Sequence, residues 1–219
     1  METNVFNRTQ ADGDALISPQ LYNLTIGATL CWGFALNWLM VTQIEAASIA
    51  AINPWVFFIG YFASCFFGIY LFKSSDNPAI SFLGYNFVVV PFGLIVNLVV
   101  SRYDASLVGE AVRITGMVTA VMMCLGTMYP AFFQKIVGGL TIALIAVIVI
   151  ELIEIFVFGI HHGILDWAVV LIFCGYIGYD WARANNIPKT VDNAIDCAAA
   201  LYIDIINLFL RVLSILGRR

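Results

Sequence analysis

Two aspartates stand where acidic side chains are least welcome. Asp180 closes the stretch Cys174-Gly-Tyr-Ile-Gly-Tyr-Asp180 at the end of one apolar run. Asp204 sits in Leu201-Tyr-Ile-Asp-Ile-Ile-Asn-Leu-Phe-Leu210, with large apolar residues on both flanks. A carboxylate at mid-membrane costs on the order of 2.5–3.5 kcal/mol by insertion scales, so ionisable groups in such runs are the first place to look for function. A single aspartate could bond locally or carry a proton, but one on each of two consecutive helices can do more. Like charges a few ångströms apart cannot both ionise cheaply. Such a pair shares a proton in acid and repels when both groups ionise, and repulsion between two helices is a mechanical event. Asp180 and Asp204 are therefore candidate pH-sensing and gating residues. Ionised carboxylate oxygens are also what a hard cation selects, which makes the same two residues candidate Ca2+ ligands.

For the two carboxyls to meet, the turn between their helices has to bring them level. Asp180 lies a little over two helical turns before Pro188 and Asp204 about four and a half turns after it. The expectation is that Thr190–Cys197, carrying Asp192 and Asp196, lies in the interface and that the last helix enters near Ala198.

Other ionisable residues have plainer readings. Glu110 and Arg113, three apart near the start of the fourth apolar run, face one side and can neutralise each other while snorkelling to the interface. Glu151 and Glu154 share a face near the end of the fifth run. They are either cation-attracting groups at a pore mouth or an interfacial acidic cap beside His161 and His162. The five cysteines, Cys31, Cys65, Cys124, Cys174 and Cys197, lie in or beside apolar runs without a C-x-x-C pair, and are read as small buried apolar residues. No residue is assigned a catalytic role, no cofactor is expected, and the chain is read as a non-enzyme.

The elements that must hold these groups follow from composition. In 219 residues, 62% of side chains are apolar and 11% charged, against about 45–50% and 25% in soluble domains. Mean hydropathy is +0.94. The net charge of −4 offers no basic footprint for a nucleic acid, which is excluded as a partner. Apolar runs of spanning length fall at roughly 21–42, 54–72, 79–100, 107–128, 137–159, 164–183 and 194–216. Breaks with turn chemistry separate them, among them Ser74-Ser75-Asp76-Asn77-Pro78, Ser101-Arg102-Tyr103-Asp104, Tyr129-Pro130 and Asn185-Asn186-Ile187-Pro188. Continuous apolarity excludes the alternation of a barrel strand. The fold class is all-α, a polytopic integral membrane bundle of about seven transmembrane helices, and the lipid bilayer is its first partner.

Residues 1–20 read as a polar N-terminal tail rather than a signal peptide, 21–217 as the transmembrane domain, and 218–219 as a short basic C-terminus. Trp32, Trp38, Trp55, Trp167 and Trp181 fall near helix ends, where indoles anchor in the headgroup region. Pro91, inside the third run, frees the carbonyl of Phe87 and is expected to kink that helix. Arg8, Lys73, Lys135, Arg183 and Lys189 lie on the N-terminal side of the membrane, against Arg102, Arg218 and Arg219 opposite. The bias favours a cytoplasmic N-terminus. If the last segment were a re-entrant hairpin, the two terminal arginines would join the majority side.

At the two aspartates the sequence resembles the Bax inhibitor-1 family of membrane proteins, also called the TMBIM or YccA-like family. Leu201-Tyr-Ile-Asp-Ile-Ile-Asn-Leu-Phe-Leu-Arg-Val-Leu-Ser-Ile-Leu-Gly217 resembles the family's final-helix signature, and Tyr179-Asp180 resembles the end of its sixth helix. The resemblance implies seven helices with the last one central, and a pH-sensitive calcium leak gated by two aspartates, here Asp180 and Asp204. It also implies, for some members, an arginine on the second helix that latches one aspartate. This chain has only Lys73 at the end of that helix, so Arg211, two turns from Asp204 on roughly the same face, and Arg113 are the candidate supporting ionic partners. Ca2+ and protons are then the transported or sensed ions.

Two further readings remain beside the leak. Relatives of the family imply a regulatory protein that binds and restrains a membrane protease or a stress or death pathway, with another membrane protein as partner. An intramembrane aspartyl protease would also use two aspartates on adjacent helices, the first in a Tyr-Asp pair like Tyr179-Asp180. Its Gly-x-Gly-Asp motif is not met by Leu201-Tyr202-Ile203-Asp204, whose bulk blocks approach of a substrate backbone. Short loops suit a bacterial inner membrane.

Overall fold

The computed structural model describes residues 15–154, 157, 159 and 163–218. Every regular element among them is a helix: α1 Pro19–Gln43, the short α2 Ala46–Ala50, α3 Pro54–Ser74, α4 Pro78–Val100, α5 Ala105–Met128, α6 Pro130–Ile153, α7 Gly163–Asn186 and α8 Val191–Leu216. Seven of these are long and apolar enough to cross a membrane, and the chain is a multi-pass integral membrane protein. His161, His162 and the first fourteen residues of the polar tail lie outside the described residues, as does Arg219.

Proline and side-chain caps start the helices. Pro19, Pro54, Pro78 and Pro130 each stand in the first turn, where a missing N–H costs nothing. Ser18, Asn53 and Asn77 cap the backbone N–H groups behind the first three. This corrects the start of the fifth span, expected at 137. It begins at Pro130, because Phe132 and Phe133 extend the helix past Gln134 and Lys135. The last helix is one unbroken run of 26 residues, so no re-entrant hairpin forms. Thr190–Cys197 is likewise not a segment apart from the last helix, which starts at Val191 rather than near Ala198. Thr190 Oγ1 accepts from Asn193 N at 3.1 Å and caps α8, which then starts at Val191 with Asp192 and Asp196 buried at 2% exposure each. Of the seven long helices α8 is the most enclosed, with 56% of its most apolar window buried.

The described chain divides into two compact units, one from Met1–Asp104 with Asn186–Tyr202, the other from Ala105–Asn185 with Ile203–Arg219. In the first, α4 packs against α1 and α3. Gly68 and Gly84 face each other so closely that a Cβ on Gly68 would stand 2.5 Å from the Gly84 carbonyl oxygen. Pro91 lies within α4, and the carbonyl it frees, that of Phe87, accepts from Ser64 Oγ at 2.7 Å. Neighbouring helices supply the remaining polar ties. Tyr85 OH donates to Thr29 O at 3.0 Å, Asn97 Nδ2 to the carbonyls of Met40 and Ile44 at 2.9 Å each, and Ser81 Oγ to Asp192 Oδ1 at 2.6 Å. Trp32 spends its indole N–H on Asn86 at 3.0 Å rather than on lipid headgroups. The second unit, of α5, α6, α7 and the end of α8, holds both aspartates singled out by the sequence.

Candidate functional site

The stretch that delivers Asp180 is built on small residues. A Cβ on Gly178 would run into the Phe133 ring of α6, and the Gly178 carbonyl lies against Gly126 of α5. A Cβ on Gly175 would meet Leu140. Glycines at 175 and 178 thus let α5 and α6 close onto one turn of α7, the way small residues replace a hydrophobic driving force between helices in lipid. Tyr176 OH donates to or shares a bond with Thr141 Oγ1 at 2.9 Å, and Trp181 Nε1 donates to Thr127 Oγ1 at 2.9 Å. The helix is pinned on both sides of the acid by these contacts.

The structure brings Asp180 and Asp204 together. Their side chains lie within interaction range of each other, and the residues are 8% and 6% exposed. Two carboxyl groups this close and this buried repel if both carry charge. Arg183 Nη1 reaches Asp180 Oδ1 at 3.5 Å from one turn further along α7. The Oδ2 atom of Asp204 is buried without a hydrogen-bond partner among the described residues. No group of three His, Cys, Asp or Glu side chains gathers as a metal site among them. A Ca2+ ion, which takes six to eight oxygens, would find two carboxyls here and draw the rest from backbone or water.

The arginines are distributed differently from the expectation. Arg211 does not sit on Asp204. Its Nη1 donates to Glu151 Oε1 at 2.6 Å and to Asp166 Oδ1 at 2.7 Å, while Nη2 donates to Glu151 Oε2 at 2.8 Å. The reason is geometric: the forked guanidinium is satisfied by two carboxylates flanking it, one from α6 and one from α7. Arg113 is exposed on α5 and makes no ion pair among the described residues, with Glu110 or otherwise. Glu151 is thereby tied to an arginine rather than left as a bare acidic cap.

Two contributors went unread in the sequence. Arg183 was counted only as a loop cation, although its i,i+3 spacing from Asp180 is the signal that finds it. Asp166, fully buried at the start of α7, accepts from Arg211, from Arg218 Nη2 at 2.7 Å and from Ser214 Oγ at 3.1 Å. Nothing in its local sequence announces those partners.

Comparison with other proteins places the chain in a family. The sequence profile of the family described as inhibitor of apoptosis-promoting Bax1 matches residues 17–219. The chain belongs to the Bax inhibitor-1 family. An uncharacterized protein of Helicobacter pylori is 30% identical over 166 residues, covering 74% of this chain and 71% of that protein. The Bax inhibitor 1 of Schizosaccharomyces pombe is 29% identical over 173 residues, with 76% and 63% covered. Inner membrane protein YbhL of Escherichia coli is 31% identical over 122 residues, with 48% and 51% covered. In this Bax inhibitor-1 family chain the family profile runs through all seven spans, the two aspartates included.

Proposed function

We propose that the protein is a pH-sensitive calcium leak pathway, with Asp180 and Asp204 as a proton-operated gate. The observation that carries this reading is the approach of the two buried acids to each other, with the Arg183 guanidinium beside Asp180. With one proton the cluster is neutral and α7 is held to α8. Loss of that proton leaves two carboxylates facing one arginine, and the like charges push the helices apart. Cation passage therefore rises with pH and falls in acid. Ca2+ is the cargo rather than a resident ion, and hard carboxylate oxygens released from each other are suited to greet it. Short loops and the likeness to the inner membrane protein YbhL of Escherichia coli support a bacterial inner membrane. The Lys and Arg count supports a cytoplasmic N-terminus.

The test is Ca2+ flux into proteoliposomes across pH. Replacing Asp180 or Asp204 by asparagine leaves no acid pair to repel, so each variant should lose the pH dependence. A full pH response in both variants sinks the gate.

A second reading rests on the family description and on the name of the Schizosaccharomyces pombe relative, which both speak of Bax inhibition. In it the protein acts by binding a membrane protein of a protease or death pathway and restraining it. Purified protein that carries no ions at any pH, yet captures a membrane protein in detergent, would favour this reading. Aspartyl protease chemistry is not supported, since Leu201 and Tyr202 beside Asp204 are bulky and fully buried.

A further inference from the structure

Arg211 stands about two turns from Asp204 along α8, and Asp166 stands fourteen residues before Asp180 along α7, about 21 Å at helical rise. The same two helices are therefore tied twice, at separate levels and by different chemistry. At the second level one guanidinium gathers both oxygens of Glu151 from α6 and one oxygen of Asp166 from α7. Asp166, with no exposure, takes two more donors from the end of α8, Arg218 and Ser214. Gly163 leaves room for this, because a Cβ there would collide with the Arg218 guanidinium. Charges balance, two carboxylates against two guanidinium groups. Both Asp166 oxygens and both Glu151 oxygens accept bonds, so the cluster holds itself without a shared proton.

We propose that Arg211 is a clamp, independent of the aspartate pair, that holds α6, α7 and α8 in their closed arrangement and restrains cation passage at that level. The restraint on passage rests on the leak reading; the clamp itself does not. Arg211 acts here as a positioning residue. Its side chain is 27% exposed, against 14% for Glu151 and none for Asp166, and it is the one member that bridges both acids. Once it leaves, Asp166 keeps Arg218, but Glu151 loses its counter-charge and the tie between α6 and α7 is gone, so these helices separate.

The experiment uses the full chain in lipid nanodiscs and in proteoliposomes. Spin labels on Leu152→Cys of α6 and Ile164→Cys of α7, both exposed, report the gap between the helices in a background without the native cysteines. Arg211→Gln should broaden the distance distribution and raise Ca2+ flux at fixed pH about ten-fold, as expected when a buried pair loses one partner. Arg211→Lys keeps the charge but not the fork, and should restore both readouts in part. The pair Glu151→Gln with Arg211→Gln removes charge from both sides, folds without an orphaned glutamate, and should still show the broadened gap. Wild-type distances in Arg211→Gln and in the double variant overturn the clamp. Broadened distances with unchanged flux, in a protein that does conduct, overturn the restraint on passage. If wild type and all variants fail to conduct, the leak reading falls, while the distances still decide for or against the clamp.

Discussion

The two charged clusters on α7 and α8 are built from the same residue types and solve opposite problems. Around Asp166 two carboxylates meet two guanidinium groups and a hydroxyl, and the charges cancel without help from solvent. Around Asp180 a second buried acid, Asp204, stands close by and the Arg183 guanidinium reaches Asp180 only at 3.5 Å, so on the gate reading a proton completes the balance. A cluster complete in itself resists change, because removing any member strands a buried charge. A cluster that needs a proton is sensitive to whatever sets proton supply. One pair of helices thus carries a fixed tie and a conditional one, and the difference lies in a single positive charge.

The comparison is broken most severely at Asp166. Asp166→Ala leaves Arg211 and Arg218 short of their shared partner, and should cost about 3 kcal/mol, the low end for a buried pair because the arginines are partly exposed. Unfolding in detergent micelles by a denaturant series measures it, and a loss below about 1 kcal/mol would mean the cluster contributes little. Gly178→Ala comes next. Its methyl has to displace the Phe133 ring against the close α5 contact, at about 2 kcal/mol, and the same variant should perturb the Asp180–Asp204 contact without touching Asp166. The smallest effect is expected for Asp204→Asn, within about 1 kcal/mol of wild type, since it removes a like charge rather than a counter-charge. On the gate reading the same variant should also flatten the rise of Ca2+ flux with pH in proteoliposomes. A wild-type flux response in Asp204→Asn would remove the conditional tie.

Much of the frame was legible in the chain because its causes are local. A run of apolar residues long enough for the hydrocarbon, ended by Ser, Asn and Pro, specifies a span and its start; Pro54 and Pro78 fall within a residue of the expected boundaries. Where an amphipathic turn precedes the apolar run, as from Pro130 to Ile136, hydropathy alone places the start too late. The acidic first turns of α8 looked like surface for a similar reason. Asp192 is carried inside by Ser81, a partner 111 residues away that no local pattern reveals. Pro91 was readable as the source of an unsatisfied carbonyl at Phe87, but not the hydroxyl of Ser64 that answers it.

By itself, the sequence determined the number of spans, the helical class and the presence of two acids that lipid would not tolerate alone, since each follows from the free energy of placing particular side chains along one helix. Arg183 belongs with these, being one turn from Asp180. Only the tertiary structure decided which arginine answers which acid further afield. Arg211 finds Asp166 and Glu151 across separations of 45 and 60 residues, and two helical turns along its own helix leave Asp204 to a different partner. Charge is a property of the residue, but neutralisation is a property of three helices meeting.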